Sequence, residues 1–327
     1  MYARLLWAIP TVLLISIVCF LITNLPAGDV IDDLEHRLMQ NQGYSAQAAK
    51  AEGDAIRARY GLDQPLPIQY GYWLFNFFRG DFGISLVTFK PVSDMIWDRL
   101  GYSIIFALLS LGFAWIVGVA VGIYSATHQY SLLDNIATLL SFLGQSIPDF
   151  LLALILLMVV VLVFNAPLPL GLSSSEYANA PWSFDKFKDL LAHLWIPVIV
   201  AGAPGAAGIM RVMRGNLMDE LGRQYVETAR AKGLPESSVI NKHAVRIAIN
   251  PLITLLGFQF PLIISSGVIT SIVLSLPTIG PLLQDALLTK DIQVSSTILM
   301  MLGILLVLGN LVADMLLAWV DPRIRLD

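Results

Sequence analysis

Six long apolar stretches dominate the chain and constrain what it can fold into. They lie at approximately 7–25, 102–126, 135–164, 191–213, 251–275 and 295–319. A helix needs about 20 predominantly apolar residues to cross a bilayer, and each stretch reaches or approaches that length. Lipid cannot satisfy backbone polar groups, so only helices and closed barrels span a membrane. The sequence therefore predicts an all-α membrane protein with six transmembrane helices.

Composition agrees with a lipid environment. Only 13% of the 327 residues are charged, against about 25% in soluble domains. The net charge of −4 offers no basic surface for nucleic acid. Cys19 is the single cysteine and is interpreted as a small buried hydrophobe. The first apolar stretch is too long for a signal-peptide core and no A-x-A site follows it, so it is expected to be a retained span.

The polar segments between these stretches set the predicted organisation. The predicted parts are a first transmembrane helix at 1–25, an outer loop at 26–100, a five-helix core at 101–320 with a polar loop at about 211–250, and a tail at 321–327. The outer loop is expected to start as helix and to break at Gly61 and Pro65. Its aromatic stretch Gln69–Phe78 is predicted to lie in the membrane interface. This loop either forms a helical cap that meets a partner, or covers the ends of the spans.

Two other features concern packing and orientation. The fourth stretch contains "HLWIPVIVAGAPGAAGIM", whose small residues favour close helix packing or, alternatively, leave room for a lined cavity. Basic residues concentrate in the loop after it and near both termini. They are Arg211, Arg214, Arg223, Arg230, Lys232, Lys242 and Arg246 in the loop, and Arg4, Arg323 and Arg325 near the termini. With six spans these segments share one side, predicted to be cytoplasmic.

Three common catalytic or nucleotide-binding motifs are absent from the sequence. It contains no G-x-x-x-x-G-K-[ST] phosphate loop, no H-E-x-x-H spacing and no G-x-S-x-G elbow. Neither a cofactor nor a metal is expected on this chain. Four scattered histidines are the only support for a membrane-embedded enzyme: His36, His128, His193 and His243.

Two carboxylates approach the interior of predicted spans. Asp149 follows Pro148 in "SIPDFLL", and Asp314 lies in "NLVADMLLAWV". Ionisable groups within spans can form ion relays, so these residues support an ion-driven secondary transporter as the alternative function. The plainer interpretation of both residues is an interhelical hydrogen bond or a position near the cytoplasmic interface.

One compact polar segment, "YVETARAKGLPESSVINKHAVRI", interrupts the apolar half of the chain at 225–247. The Ala-rich run from Glu227 favours a short helix, and Gly233 can end it in a left-handed conformation. Pro235 then suits the start of a second helix, with Glu236 in its first turn. The segment is predicted to be a rigid helix–turn–helix outside the membrane, either a contact that transmits force or an inert loop.

The letters "ETARAKG" resemble the EAA loop of ABC importer permeases. Glu227, Thr228, Ala229 and Gly233 occupy the positions of that motif, whereas His243 to Arg246 depart from its continuation. Further ordered blocks resemble the dipeptide/oligopeptide branch of the family: "RYGLDQPLPIQY", "RGDFGIS", "HAVRIAINP", "SLPTIGPLLQDALLTKD" and "DPRIR". The corner Pro26–Val30 is one residue out of step with that branch.

The resemblance implies a type I ABC importer permease fold in a bacterial or archaeal cytoplasmic membrane. The implied partners are a second homologous permease, two ATPase subunits that bind MgATP, and a periplasmic or lipid-anchored substrate-binding protein. The short helix would be a coupling helix docked on an ATPase, passing its motion to the spans. In that role Glu227 would cap or ion-pair at the contact, Ala229 would allow close approach and Gly233 would make the turn, while Thr228 and Arg230 would lie on the same helix. The substrate stays open, since this branch also moves nickel, opines and other solutes besides peptides.

Overall fold

The computed structural model describes residues 2–24, 30–174, 176–177, 180–181, 183–253, 255–256, 259 and 268–320. Within these ranges the named elements are all helical, which confirms the predicted fold class. The α-helices are α1 (Tyr2–Asn24), α2 (Val30–Gln42), α3 (Ala46–Tyr60), α4 (Leu66–Phe78), α5 (Val92–Thr127), α6 (Leu132–Ser146), α7 (Asp149–Leu162), α8 (Phe184–Leu221), α9 (Gln224–Ala231), α10 (Glu236–Ser238), α11 (Val245–Ala248), α12 (Val268–Val273), α13 (Ile279–Leu288) and α14 (Ile292–Val320). A π-helical segment, Val239–Ala244, separates α10 from α11.

Four helical stretches in the described part of the chain are long and apolar enough to cross a membrane. They are Leu6–Asn24, Val92–Thr127, Phe184–Leu221 and Ile292–Val312. They match the first, second, fourth and sixth predicted spans. The predicted span at 251–275 includes residues 260–267, which lie outside the described ranges, so its course stays a prediction.

The third predicted span, at 135–164, is not one helix. It consists of α6 and α7, which meet at an angle of 115°. Pro148 lacks a backbone N–H, and Ile147 before it adopts an extended conformation with φ −80° and ψ 124°. Each helix is only about 22 Å long, shorter than the roughly 30 Å of hydrocarbon in a bilayer. The described spans therefore number four, or five when the bent pair is counted as one.

The chain divides into two compact units. Among the described residues, one unit lies within 2–101 and 281–307, and the other lies within 102–280 and 308–320. The first unit holds the loop between α1 and α5. There α2 and α3 form a hairpin that buries Ile31, Leu34 and Ile56. The predicted break is confirmed, because Gly61 ends α3 with φ +64° and Pro65 precedes α4.

Helix α4 packs one aromatic face on α1 within the same unit. The ring of Phe20 lies 5.5 Å from that of Tyr70 and 5.8 Å from that of Trp73. The hydroxyl groups of Ser16 and Tyr70 are hydrogen-bonded at 2.7 Å. Tyr72, Phe75 and other apolar side chains of α4 stay exposed, and the interfacial position of this helix stays a prediction.

In the second unit α5 and α8 approach each other through glycines. A Cβ atom added at Gly118 would lie 2.8 Å from the Ala206 carbonyl oxygen, and one added at Gly202 would lie 2.7 Å from the Phe113 ring. Such distances are shorter than real Cβ contacts, so only glycine allows this approach. At these positions the small residues serve close packing of helices.

Candidate functional site

The polar segment is held by the end of α8. Helix α8 has 38 residues and ends at Leu221, and after the cap Gly222 and the single residue Arg223 the chain enters α9. The Tyr225 hydroxyl donates a 2.6 Å hydrogen bond to Glu220 Oε2 on the last turn of α8. Burial raises the pKa of the Tyr225 phenol, and the bond to Glu220 raises it further. This link fixes the angle at which α9 leaves α8.

One face of α9 is part of the protein core. Val226 is fully buried and Ala229 is 6% exposed, and both lie in the cluster that contains Met213 and Leu217 of α8. Burying a valine side chain contributes roughly 1.5–3 kcal/mol. The cluster extends to Val239 and to residues of α11. Helix α9 is therefore bound rigidly to α8 and does not hang from it as a free loop.

The opposite face of α9 is polar and accessible. Glu227, Thr228 and Arg230 are exposed. The Thr228 hydroxyl donates to the Gln224 carbonyl at 2.8 Å, within the helix itself. The Glu227 carboxylate is the acidic group on this face. Of the five residues predicted for the docking contact, Ala229 alone is turned into the protein's own core.

The turn after α9 depends on Gly233, which has φ +76°. A Cβ added there would meet no atom within 4 Å, so the residue is required for its conformation and not for space. The Leu234 N–H donates to the Ala229 carbonyl at 3.4 Å across the turn. The predicted left-handed end to the helix is confirmed.

An ion pair closes the turn on the outside. Arg230 Nη2 donates to Glu236 Oε1 at 2.7 Å and its Nε donates to Oε2 at 3.1 Å. These hydrogen bonds lower the pKa of Glu236 and raise that of Arg230. Arg230 is thus engaged within the segment, and Glu236 starts α10 as predicted.

A π-helical turn and a second link to α8 complete the segment. His243 lies half-buried in the π segment Val239–Ala244. The Asn216 side chain donates from Nδ2 to the Ala248 carbonyl at 3.2 Å, which joins α8 to α11. The segment therefore forms a closed, polar knob whose base is packed on the end of α8.

A buried ion pair near this knob was missed by sequence reasoning. Arg214 of α8 donates from Nε and Nη2 to the two carboxylate oxygens of Asp134, each at 2.9 Å. Asp134 is 1% exposed and also accepts from the Tyr130 N–H at 2.9 Å. The pair fixes the start of α6 to α8. Its one signal in the sequence is the Ser131-x-x-Asp134 pattern of a helix N-terminus.

The other residues considered in the sequence do not gather at one place. Asp149 is half-buried in the first turn of α7, where a carboxylate is favoured by the helix dipole. Asp314 lies in α14. The four histidines lie apart, in α2, in the turn after α5, in α8 and in the π segment. The structure thus assembles a polar knob, and it does not assemble a catalytic set from these residues.

The described fold defines the chain as an all-helical, multi-pass membrane protein with a rigid polar knob at the end of a long span. A family profile described as "Binding-protein-dependent transport system inner membrane component" matches residues 118–326. The chain belongs to this family of transport permeases, as the motif resemblance predicted.

Full-length relatives agree with this membership. The oligopeptide transport system permease protein AppB of Bacillus subtilis is 36% identical over 323 residues, covering 98% of each chain. A putative peptide permease of Brucella suis is 35% identical over 323 residues, covering 98% of this chain and 97% of the relative. The glutathione transport system permease protein GsiC of Pectobacterium atrosepticum is 33% identical over 322 residues, with 98% and 97% covered.

Proposed function

We propose that this chain is one of two permease subunits of an ATP-binding-cassette importer for peptides. Peptides are the best supported substrate class because the relatives named above are an oligopeptide, a peptide and a glutathione permease. ATP is bound and hydrolysed by two partner ATPase subunits, and a substrate-binding protein delivers the peptide. The termini and the polar knob face the cytoplasm.

The observation that carries this proposal is the construction of the knob. Its buried face, Val226 and Ala229, is fixed to α8, and its exposed face presents Glu227 and Thr228. A docking element of this kind can pass a movement of a partner directly to a membrane span, because its own packing leaves little freedom between them. An inert loop would not require a hydrogen-bonded and closed turn on a buried base.

Transport by the assembled complex tests the proposal against an ion-driven transporter. The chain is reconstituted in liposomes with a second permease, the ATPases and the binding protein, and uptake of a labelled tripeptide is measured. We expect uptake only when MgATP reaches the ATPases. Uptake by this chain alone, driven by a proton gradient without ATP, would instead favour the ion-driven alternative based on Asp149 and Asp314.

A further inference from the structure

A large cavity lies beside the N-terminal end of α8, whereas the knob lies at the C-terminal end of the same helix. The cavity has a volume of about 620 Å³, and it lies between the start of α8 and the irregular segment that follows α7. Small-molecule sites usually measure about 300–1,000 Å³. The cavity is therefore large enough for a ligand of several residues.

The wall formed by the irregular segment is fixed at defined points. The Gly171 N–H donates to the Leu274 carbonyl at 2.8 Å, and the Ala166 N–H donates to the Val160 carbonyl at 3.2 Å. The Ser174 N–H donates to Asp189 Oδ2 at 2.8 Å. These hydrogen bonds hold the backbone of the irregular segment in place and so define the shape of this wall.

Most of the lining is apolar, with Phe164, Leu168 and Trp195 among the larger side chains. Two ionisable side chains from neighbouring turns of α8, Asp189 and His193, also line it. Their side chains are only 15% and 12% exposed. An apolar cavity with one nearly buried carboxylate suits a ligand that combines an apolar group with a cationic hydrogen-bond donor.

The hydrogen bonds of His193 define which atoms remain for such a ligand. Its Nδ1 lies 2.7 Å from the Asp189 carbonyl oxygen and 3.6 Å from Asp189 Oδ1. Both neighbours are acceptors, so Nδ1 carries a hydrogen, and Nε2 is an acceptor in the neutral form of the ring. Asp189 Oδ1 is thus an acceptor suited to an ammonium group, and His193 Nε2 in the neutral ring is a second one.

We propose that this cavity binds the free N-terminus of a peptide whose first side chain is apolar. The ammonium group would bind Asp189 and His193, and the first side chain would occupy the apolar part beside Leu168 and Trp195. A lipid amine headgroup offers the same ammonium but carries a phosphate next to it. The lining residues that the structure describes include neither Lys nor Arg to bind that phosphate, and Asp189 would repel it. The peptide is therefore the occupant favoured by charge.

The place of the cavity along α8 fits this ligand, and this step rests on the proposed function. From Asp189 to Leu221 the helix rises about 48 Å, more than the 40–45 Å thickness of a whole bilayer. The cavity and the knob are consequently on opposite sides of the membrane. With the knob in the cytoplasm, the cavity faces the side on which a binding protein releases peptide.

Photo-crosslinking to the complete reconstituted transporter tests the site. The probe is a tripeptide with a free N-terminus and p-benzoylphenylalanine as its first residue, and labelled positions are mapped by mass spectrometry. We expect labelling within residues 160–195. Acetylation of the probe, or Asp189→Asn, should reduce labelling about tenfold, as expected for loss of one charge-assisted interaction.

Matched variants separate binding from folding. Asp189→Asn keeps a side-chain oxygen that can accept from the Ser174 N–H, so the wall should be preserved. Ala192 is exposed and lines the cavity, so Ala192→Trp should obstruct part of the space and reduce labelling. Asp185 is also an aspartate on α8 but its side chain is 70% exposed, and Asp185→Asn should leave labelling unchanged.

Three results would overturn the site. The first is absence of label at 160–195 in a transporter that imports the same peptide with ATP, which would leave the proposed function intact. The second is equal labelling by the free and acetylated probes. The third is labelling of the cavity by a photoreactive phosphatidylethanolamine that the peptide does not displace. A complex that imports no peptide would contradict the proposed function, while the labelling pattern would still decide the cavity.

Discussion

The Ser85 hydroxyl donates a 2.5 Å hydrogen bond to Oδ2 of Asp291, although 206 residues separate the two in sequence. Ser85 ends the block "RGDFGIS" and Asp291 ends the block "SLPTIGPLLQDALLTKD", so two separate motifs meet through their last residues. Asp291 is 3% exposed, precedes α14, and accepts from the Val294 N–H at 3.5 Å. It joins the loop after α4 to the start of a membrane span.

Removing the Asp291 carboxylate should destabilise this unit. Asp291→Ala leaves the buried hydroxyl of Ser85 and the Leu86 N–H without their acceptor, and each unsatisfied group costs about 1–3 kcal/mol. Asp291→Asn keeps an acceptor oxygen and should cost less. Thermal unfolding of the purified protein in detergent measures both. A lower unfolding temperature for the Asn variant than for the Ala variant would contradict this account.

The pH dependence of stability provides a second test at Asp291. Burial raises its pKa above the ordinary value of 3.8, although hydrogen bonds from Ser85 and the Val294 N–H lower it. When the folded pKa is the higher one, the folded state binds more protons, and the stability from this group is lost as pH rises through that pKa. The unfolding temperature of the wild type relative to Asp291→Asn should therefore rise as pH falls from neutral toward the ordinary value of 3.8. A constant or falling difference would be inconsistent with a raised pKa.

The ion pair of Arg214 and Asp134 should respond unequally to loss of its two members. Arg214→Ala leaves a carboxylate that is 1% exposed without its cation, which costs about 3 kcal/mol for a buried charge. Asp134→Asn leaves an arginine side chain that is 25% exposed and can be hydrated, so about 1 kcal/mol is expected. Chemical unfolding in detergent compares the two free energies. The reverse order would show that the burial of Asp134 does not govern the pair.

Close packing of α5 and α8 can be tested with two glycines that differ in their surroundings. Gly202→Ala puts a methyl group against Phe113 and should cost about 1–3 kcal/mol. Gly112 lies in α5 with open space around it, so Gly112→Ala should be neutral or stabilise by up to about 1 kcal/mol. Unfolding temperatures of the two variants are compared with the wild type. Equal effects would argue against a glycine-dependent contact.

The polar knob was largely predictable because its signals are local. A short Ala-rich helix, a left-handed Gly233 and an acidic Glu236 at the next helix start depend on neighbours within a few residues. The burial of Ala229 was not predictable, since it depends on Met213 and Leu217 of a different helix. Motif position alone assigned Ala229 to the partner, whereas in the structure it is buried in the protein's own core.

The remaining gaps have the same physical origin. Pro148 was visible within the third apolar stretch, but hydropathy measures composition and not direction, so the 115° bend was missed. The bonds between Arg214 and Asp134 and between Ser85 and Asp291 join residues that are 80 and 206 positions apart. Pairings of that kind depend on tertiary structure, and a single sequence carries no periodic signal for them.

Charge reversal on the exposed face of α9 tests most directly that this knob couples the permease to its ATPases. Glu227→Arg alters an exposed side chain and leaves the buried Val226 in place, so the fold should be unchanged. The matched control is Glu52→Arg, which changes an exposed acidic residue of α3 on the side predicted to be outside.

Both variants are reconstituted in the complete transporter, and peptide-stimulated ATP hydrolysis is measured. We predict about a tenfold or greater loss for Glu227→Arg, as expected for a charge reversal at a protein contact, and no loss for Glu52→Arg. Wild-type hydrolysis and uptake with Glu227→Arg would contradict the role of this knob.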